Sequence, residues 1–177
     1  DNHIPMFDNM YAKRLKAYKQ IGYELACGLQ IGKQTVNAIY DWDNYSTYYH
    51  KDLLGANNNI IISSPVISGP KVYELINLLK EKQMSGVQIT IVTWAPDSYR
   101  FGDAAYWMQL HEDMRQAGFY IKTVEESCER FAVIDQEVVW YGNINLLAKD
   151  KVDDSIMRVM SKEIASELME ITFGDNG

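Results

Sequence analysis

Two cysteines, Cys27 and Cys128, are all that the 177 residues contain. That count excludes the disulfide framework of a small secreted domain. Histidine is as scarce: His3, His50 and His111 lie far apart, and no C-x-x-C or H-x-x-x-H spacing exists. Neither a metal site nor a cofactor is therefore expected. No apolar run approaches the ~18 to 20 residues of a membrane span. The first residues, Asp-Asn-His-Ile-Pro, lack the basic stretch followed by an apolar one that marks a secretory signal. A cytoplasmic setting without membrane attachment is the expectation. The absence of a leading methionine fits a piece of a longer protein, although processing or tag removal would leave the same start. Positive charge is also in deficit, with 17 Lys and Arg against 24 Asp and Glu, a net charge of −7 and a sequence pI near 4.9. Lys and Arg drive nucleic-acid binding through counterion release, so this balance argues against strong independent DNA binding. A small basic cleft, or binding delivered by a neighbouring domain, stays compatible with it.

What is present is ordinary globular material: 47% hydrophobic and 23% charged residues, enough for the core of one domain. From Asn9 to about Ile31, Met10, Leu15, Tyr18, Ile21, Leu25 and Leu29 recur at helical intervals, and Gly22 and Gly28 interrupt them. Residues 1–50 are expected to be a linker and helical lead-in packed on a domain formed by 51–177. Trp42, Tyr45 and Tyr49 fall near helical spacing and predict a helix laid on the core, with a base-stacking platform as the alternative. His50-Lys51-Asp52 spells three catalytic letters at a spacing that fits no site. Asn59–Ser63 reads as a strand buried on both faces. Val72, Leu75, Ile76 and Leu79 mark an amphipathic helix ending near Gly86, and Val87–Thr93 the next strand, so the unit is a parallel crossover. Trp94, Asp97, Tyr99 and Arg100 follow that strand, where open α/β sheets place ligands. A helix over Asp103–Gln116, with His111 as a structural residue, leads to a strand at Phe119–Val124. Arg130–Asp135 and Val138–Tyr141 predict a hairpin turning at Gln136-Glu137. Ser155–Met160 is a further strand, and Ser161 caps a closing helix. The fold class is α/β.

Cys128, Arg130, Asp135, Gly142, Asn143 and Asn145 stand at the intervals of a known signature, H-x-K-x4-D-x6-G-S-x-N. Asp135, Gly142 and Asn145 match by identity, whereas Cys128, Arg130 and Asn143 replace His, Lys and Ser. On these residues the chain, from about Asp52 to Phe173, resembles a single repeat of the phospholipase D superfamily with a degenerate motif. The resemblance implies a mixed, largely parallel central sheet flanked by helices on both faces. Trp140-Tyr141-Gly142 and Asn145-Leu146-Leu147 narrow it to the phospholipase D-like domains attached to bacterial DEAD/DEAH-type helicases. The parent would bind ATP, but this chain has neither a G-x-x-x-x-G-K-[ST] loop nor a DEAD or DEAH box.

In the family, a histidine attacks phosphorus, a second histidine protonates the leaving oxygen, and lysines and asparagines hold the anionic oxygens. Carried over, Cys128, Arg130 and Asp135 are the catalytic-motif positions, and Arg130, Gly142, Asn143 and Asn145 the phosphate-binding ones. Strand alternation would aim Cys128 and Arg130 into one cleft, and Gly142 would allow a tight turn beside it. A cysteine cannot shuttle protons as histidine does, and its thiolate needs a lowered pKa to attack. Arginine keeps the charge and adds a forked geometry suited to phosphate. The expectation is a helicase-associated module that binds nucleic-acid phosphate or positions a partner domain, with little or no phosphodiesterase activity. Two alternatives stand beside it. One is a metal-independent phosphodiesterase or nuclease acting as a homodimer, since each chain holds one motif and a complete site needs two. The other is a protein-interaction or oligomerisation domain.

Overall fold

The computed structural model describes residues 24–25, 38–99, 102–125, 128–149 and 154–174. Its elements in chain order are β1 (Glu24–Leu25), β2 (Ala38–Asp41), α1 (Tyr45–Gly55), β3 (Asn59–Ser63), α2 (Gly69–Met84), β4 (Gln88–Trp94), a 3-10 turn (Pro96–Ser98), α3 (Ala104–Gln116), β5 (Tyr120–Val124), β6 (Phe131–Ile134), β7 (Val138–Gly142), β8 (Ser155–Met160) and α4 (Lys162–Phe173). The strands form one sheet in the order β1-β2-β8-β7-β6-β3-β4-β5.

Pairing within it is mixed. The crossover through α2 makes β3 and β4 parallel, and β5 continues parallel beside β4. In the last third, β6, β7 and β8 instead run antiparallel to their neighbours. Parallel pairing is thus confined to β3-β4-β5 and the β1-β2 edge, a more even mixture than the expected largely parallel sheet. Of the connections here, the three residues Asp135–Glu137 between β6 and β7 are too few for anything but an antiparallel pair.

Both sheet faces are covered. On one, Ile60, Ile62, Ile89, Ile91, Ala132, Ile134 and Trp140 pack against α1, α2 and α3 through Tyr49, Leu53, Val72, Leu79, Leu110 and Met114. On the other, Ile61, Val92, Phe131, Val133 and Val139 meet Ala165 and Leu168 of α4. The three consecutive isoleucines of β3 therefore serve two cores, which is why that strand reads as an unbroken apolar run.

Caps follow the expected chemistry. The Asp103 carboxylate accepts the Ala105 N–H at 2.9 Å, and the Ser161 hydroxyl accepts that of Ile164 at 3.2 Å. At the β6–β7 connection Asp135 and Gln136 both take left-handed φ, 51° and 57°, and Glu137 N–H donates to Ile134 at 3.1 Å. The hairpin is the expected one, but its left-handed pair is Asp135-Gln136, one residue earlier than Gln136-Glu137. Aspartate tolerates that conformation because its short side chain bonds to backbone nearby.

The helix expected over Asn9–Ile31 falls almost wholly outside the described residues. At Glu24–Leu25, which are described, the chain instead pairs in parallel with Ala38–Ile39. The boundary expected between residues 50 and 51 falls inside α1. Tyr45 and Tyr49 on that helix are 4% and 3% exposed, and Tyr40 is 1% exposed, so these rings are core and offer no platform to a ligand.

One polar hub joins the two ends of the domain. Asp52 on α1 accepts from Arg158 Nε at 2.6 Å and Arg158 Nη2 at 3.0 Å, and from Trp140 Nε1 at 2.8 Å. The aspartate of the spurious His50-Lys51-Asp52 triplet is thus a structural residue. His111 on α3 is 1% exposed, with neither ring nitrogen bonded among the described residues, and burial together with Arg115 lowers its pKa to about 4. It is a neutral imidazole in the packing of α3.

Candidate functional site

β3 ends at Ser63, and the next residue turns away toward Pro65. β6 runs antiparallel to β3, so the start of β6 lies beside the end of β3, with Phe131 opposite Ser63. β7 runs antiparallel to β6, which brings its last residue, Gly142, back to the same end, where Gly142 N–H donates to Arg130 O at 3.3 Å. Topology alone therefore gathers Cys128, Arg130, Gly142, Asn143 and Asn145 with Ser63 and Ser64 at one end of the sheet. Asp135 is four residues after Phe131 and lies at the other end of β6.

Asp135 does not join the group. Its carboxylate accepts three backbone N–H groups in a row, from Asn57 at 2.8 Å, Asn58 at 2.7 Å and Asn59 at 3.0 Å. Burial pushes its pKa up, but these three bonds and Lys82 outweigh that and hold it below the ordinary aspartate value. The residue clamps the entry to β3.

Ser63 and Ser64 divide the remaining residues between them. The Ser63 hydroxyl donates to Glu129 O at 2.6 Å and lies 3.4 Å from Cys128 Sγ. Cys128 also packs against the core on the α4 side. Ser64 faces the other core, where its hydroxyl accepts the Leu147 N–H at 3.2 Å and its single proton is shared between Val66 O at 2.9 Å and Asn145 Oδ1. Cys128 and Arg130 precede β6, which starts at Phe131, so strand alternation does not govern where they point.

The chemical state of Cys128 follows from this setting. Burial raises its pKa and Glu129 raises it further, while the Ser63 bond and Arg130 lower it by less. The net shift is upward, so the group is a protonated thiol at neutral pH and a poor nucleophile. In a Cys27→Ser background, iodoacetamide should alkylate Cys128 more slowly than free cysteine at pH 7. The rate should still be climbing above pH 8.5; a plateau reached below pH 8 would contradict the assignment.

Arg130 is half-buried. Its Nε is wholly buried and has no hydrogen-bond partner among the described residues. A buried guanidinium donor without an acceptor costs about 1–3 kcal/mol or more, so its persistence calls for an anionic partner or water. Asn143 is exposed, with its N–H on Ser155 O at 3.0 Å. Asn145 is 2% exposed and its carbonyl oxygen is engaged by Ser64, so it shapes the loop through Leu147 from inside. Gly142 does not make a turn, since its φ is not left-handed. A Cβ there would stand 2.5 Å from Ser155 O and 2.8 Å from Ile156 Cα, so glycine is required for the close approach of β8.

An aromatic file borders this end of the sheet. Trp94, the last residue of β4, meets Tyr99 edge-on at 6.0 Å, Tyr99 stacks on Trp107 at 4.3 Å, and Trp107 meets Tyr106 at 4.9 Å. Tyr99 Oη lies 3.0 Å from Thr93 Oγ1, and its pKa is pushed up to about 12 by burial above all. Sequence reasoning marked Trp94, Asp97, Tyr99 and Arg100 by their place after a strand; Arg100 lies outside the described residues. It missed Ser63 and Ser64, although two serines closing an otherwise apolar strand were a usable signal. A groove of about 560 Å³ lies along α3, lined by Pro96, Met108, His111 and Arg115 among others, and none of the motif residues borders it. Among the described residues no cluster of His, Cys, Asp and Glu could hold a metal ion, and no helix is long and apolar enough to cross a membrane.

Comparison with known proteins agrees with this geometry. NucT from Helicobacter pylori superposes with a TM-score of 0.58 at 9% identity, over 76% of this chain and 91% of that one. Nuc from Salmonella typhimurium, a phospholipase D family member, gives 0.59 at 13% identity, over 76% and 88%. TrmBL2, an archaeal chromatin protein with a novel mode of DNA binding, gives 0.53 at 10% identity, over 94% of this chain and 60% of that one. At such identities the likeness establishes the fold. No curated protein matches the sequence. The family described as cardiolipin synthase, PLD-like domain, matches residues 49–172, and the chain therefore belongs to the phospholipase D-like family.

Proposed function

We propose that this chain is a phosphate-recognition module with a degenerate phospholipase D motif, binding the backbone of a nucleic acid and catalysing little or no phosphodiester hydrolysis. The observation that carries the reading is Arg130, whose Nε is buried and has no acceptor among the described residues. A phosphate oxygen would supply that acceptor, and Asn143, exposed at the start of the next loop, would add a donor. Cys128 and the buried Asn145 shape the surroundings. Loss of hydrolysis follows from the protonated state of Cys128 and from the absence of an imidazole at its position. The resemblance of Asp135–Leu147 to helicase-attached domains supports a longer, cytoplasmic helicase-type parent, whose other domains would supply the affinity that a net charge of −7 withholds. In this reading residues 1–50 lead into the domain that begins near residue 51.

The test is fluorescence anisotropy with a labelled oligonucleotide at low salt in EDTA, following cleavage in the same samples. Arg130→Ala should weaken binding roughly tenfold or more, as expected for a lost charge-assisted hydrogen bond. It should also reduce the slope of log K against log salt by about one. Arg130→Lys should keep the slope and recover part of the affinity. Binding that ignores Arg130 would sink the reading. Cleavage lost in Cys128→Ala would replace it with a homodimeric, metal-independent nuclease, the activity suggested by the names of two structural neighbours.

A further inference from the structure

We infer that the groove along α3 is a binding site for a small organic acid, whose apolar body lies in the groove and whose carboxylate accepts from His111 and Arg115. No motif residue borders the groove, which separates this site from the phosphate-recognition end of the sheet.

His111 is only 1% exposed, yet neither ring nitrogen has a hydrogen-bond partner among the described residues. Buried polar side-chain atoms are nearly always bonded to protein, water or a ligand. Burial and Arg115 keep the ring neutral at pH 7, so it holds one N–H donor and one bare nitrogen. On α3, Leu110 and Met114 face the core. His111 stands beside that face, in a stripe with Met108 and Arg115 at three- and four-residue spacing. All three border the groove. Met108 is 60% exposed and the Arg115 side chain 50%, and both are long and unbranched, so a ligand can turn them aside to reach the ring between them.

The walls select the ligand. Pro96 of the 3-10 turn, with Ala105 and Met108 of α3, gives the groove an apolar side. Its volume of about 560 Å³ falls in the range of small-molecule sites, roughly 300–1,000 Å³. Arg115 supplies the positive charge. It pairs with Glu112 at 3.9 Å, and both side chains are about half exposed. Such a pair is weak and leaves the guanidinium able to exchange partners. A carboxylate that accepts from Arg115 and from the His111 N–H together replaces that contact with two better ones, one of them between full charges. Glu112 keeps its bond from Gln116 Nε2 at 3.2 Å. An alcohol would leave Arg115 without a counter-charge, and a phosphate monoester would set a second negative charge against Glu112.

The experiment titrates wild type at pH 7 with benzoate and with benzyl alcohol, following the imidazole nitrogen-15 resonances of His111 by NMR. Benzoate should fix one tautomer and move the two nitrogen signals saturably. Benzyl alcohol, the uncharged analogue, should bind about tenfold more weakly, the difference between a charge-assisted and an ordinary hydrogen bond. Arg115→Gln, at an exposed position, should bring benzoate down to the level of the alcohol and leave the alcohol's own affinity unchanged. Because the signal comes from the His111 ring, benzoate bound at Arg130 or elsewhere does not count. Resonances that ignore benzoate up to its solubility limit overturn the site and mean that water alone satisfies the ring. Equal affinity for the two probes overturns the assignment of a carboxylate. Both comparisons use wild type, so an Arg115→Gln protein that fails to fold does not protect the inference.

Discussion

Replacing Asp52 with alanine should lower the unfolding free energy by about 3 kcal/mol, the range for breaking a largely buried, hydrogen-bonded ion pair. Asp52 and Arg158 are only 16% and 13% exposed and share a two-pronged contact. The same carboxylate is the acceptor for Trp140 Nε1, and Trp140 is itself fully buried. Alanine removes at once the acceptor shared by the Arg158 guanidinium and the Trp140 indole N–H. For a chain of this length the corresponding drop in Tm is roughly 10 °C. Asp52→Asn keeps one acceptor and should lose less. Thermal and urea unfolding of the variants measure this, and a loss under 1 kcal/mol would mean that water replaces the carboxylate without penalty.

Asp135→Ala should cost a similar amount, about 3 kcal/mol, for a different reason. Three backbone donors at Asn57, Asn58 and Asn59 lose an ionised acceptor, and alanine must also hold the left-handed φ of 51°. Because the folded-state pKa is depressed, this stabilisation is complete above the unfolded aspartate value near 3.9 and is lost as pH falls through the lower folded value. The gap between wild type and variant should therefore be widest at pH 7 and narrow as pH falls through the lower folded value, leaving the cost of the left-handed φ in alanine. Urea midpoints across pH 2.5–7 show the narrowing or its absence. A constant difference down to pH 2.5 would mean that geometry rather than charge does the clamping. Asp135→Ala protein kept below its unfolding transition should retain the salt dependence of binding, since Asp135 is remote from Arg130. That separates the aspartate of the motif from the rest of it.

The fold was legible wherever one rule acted alone. Ile60-Ile61-Ile62 has no polar face to hide, so burial on both sides was the only option, and the caps at Asp103 and Ser161 announced the helices that follow them. β2 was missed because it is four residues long and owes its existence to pairing with β8, more than a hundred residues away in the chain. The site was half legible. Intervals singled out Cys128, Arg130, Gly142, Asn143 and Asn145, which the fold gathers at one end of the sheet, but an interval does not say which end of a strand a residue occupies. Asp135 and Cys128 belong to one motif and sit at opposite ends of β6 for that reason. Gly142 was recognisable as constrained, yet the cause is the backbone of β8, and no local pattern names it. The Asp52–Arg158–Trp140 hub was invisible because its members are spread from α1 to β8.

The antiparallel pairing of β6 with β3 also bears on how the molecule folds. The β6–β7 hairpin closes over a few residues and can form within microseconds. Joining it to β3 brings together residues 76 to 78 positions apart, as the Asp135 contacts show. The entropy of that closure grows only logarithmically, by about 0.6 kcal/mol for each doubling of the loop, so the equilibrium barely registers it. The rate does, because non-local pairing must precede its reward. Ser63 meets Cys128 only when that long loop shuts, so the motif end of the sheet waits on non-local pairing.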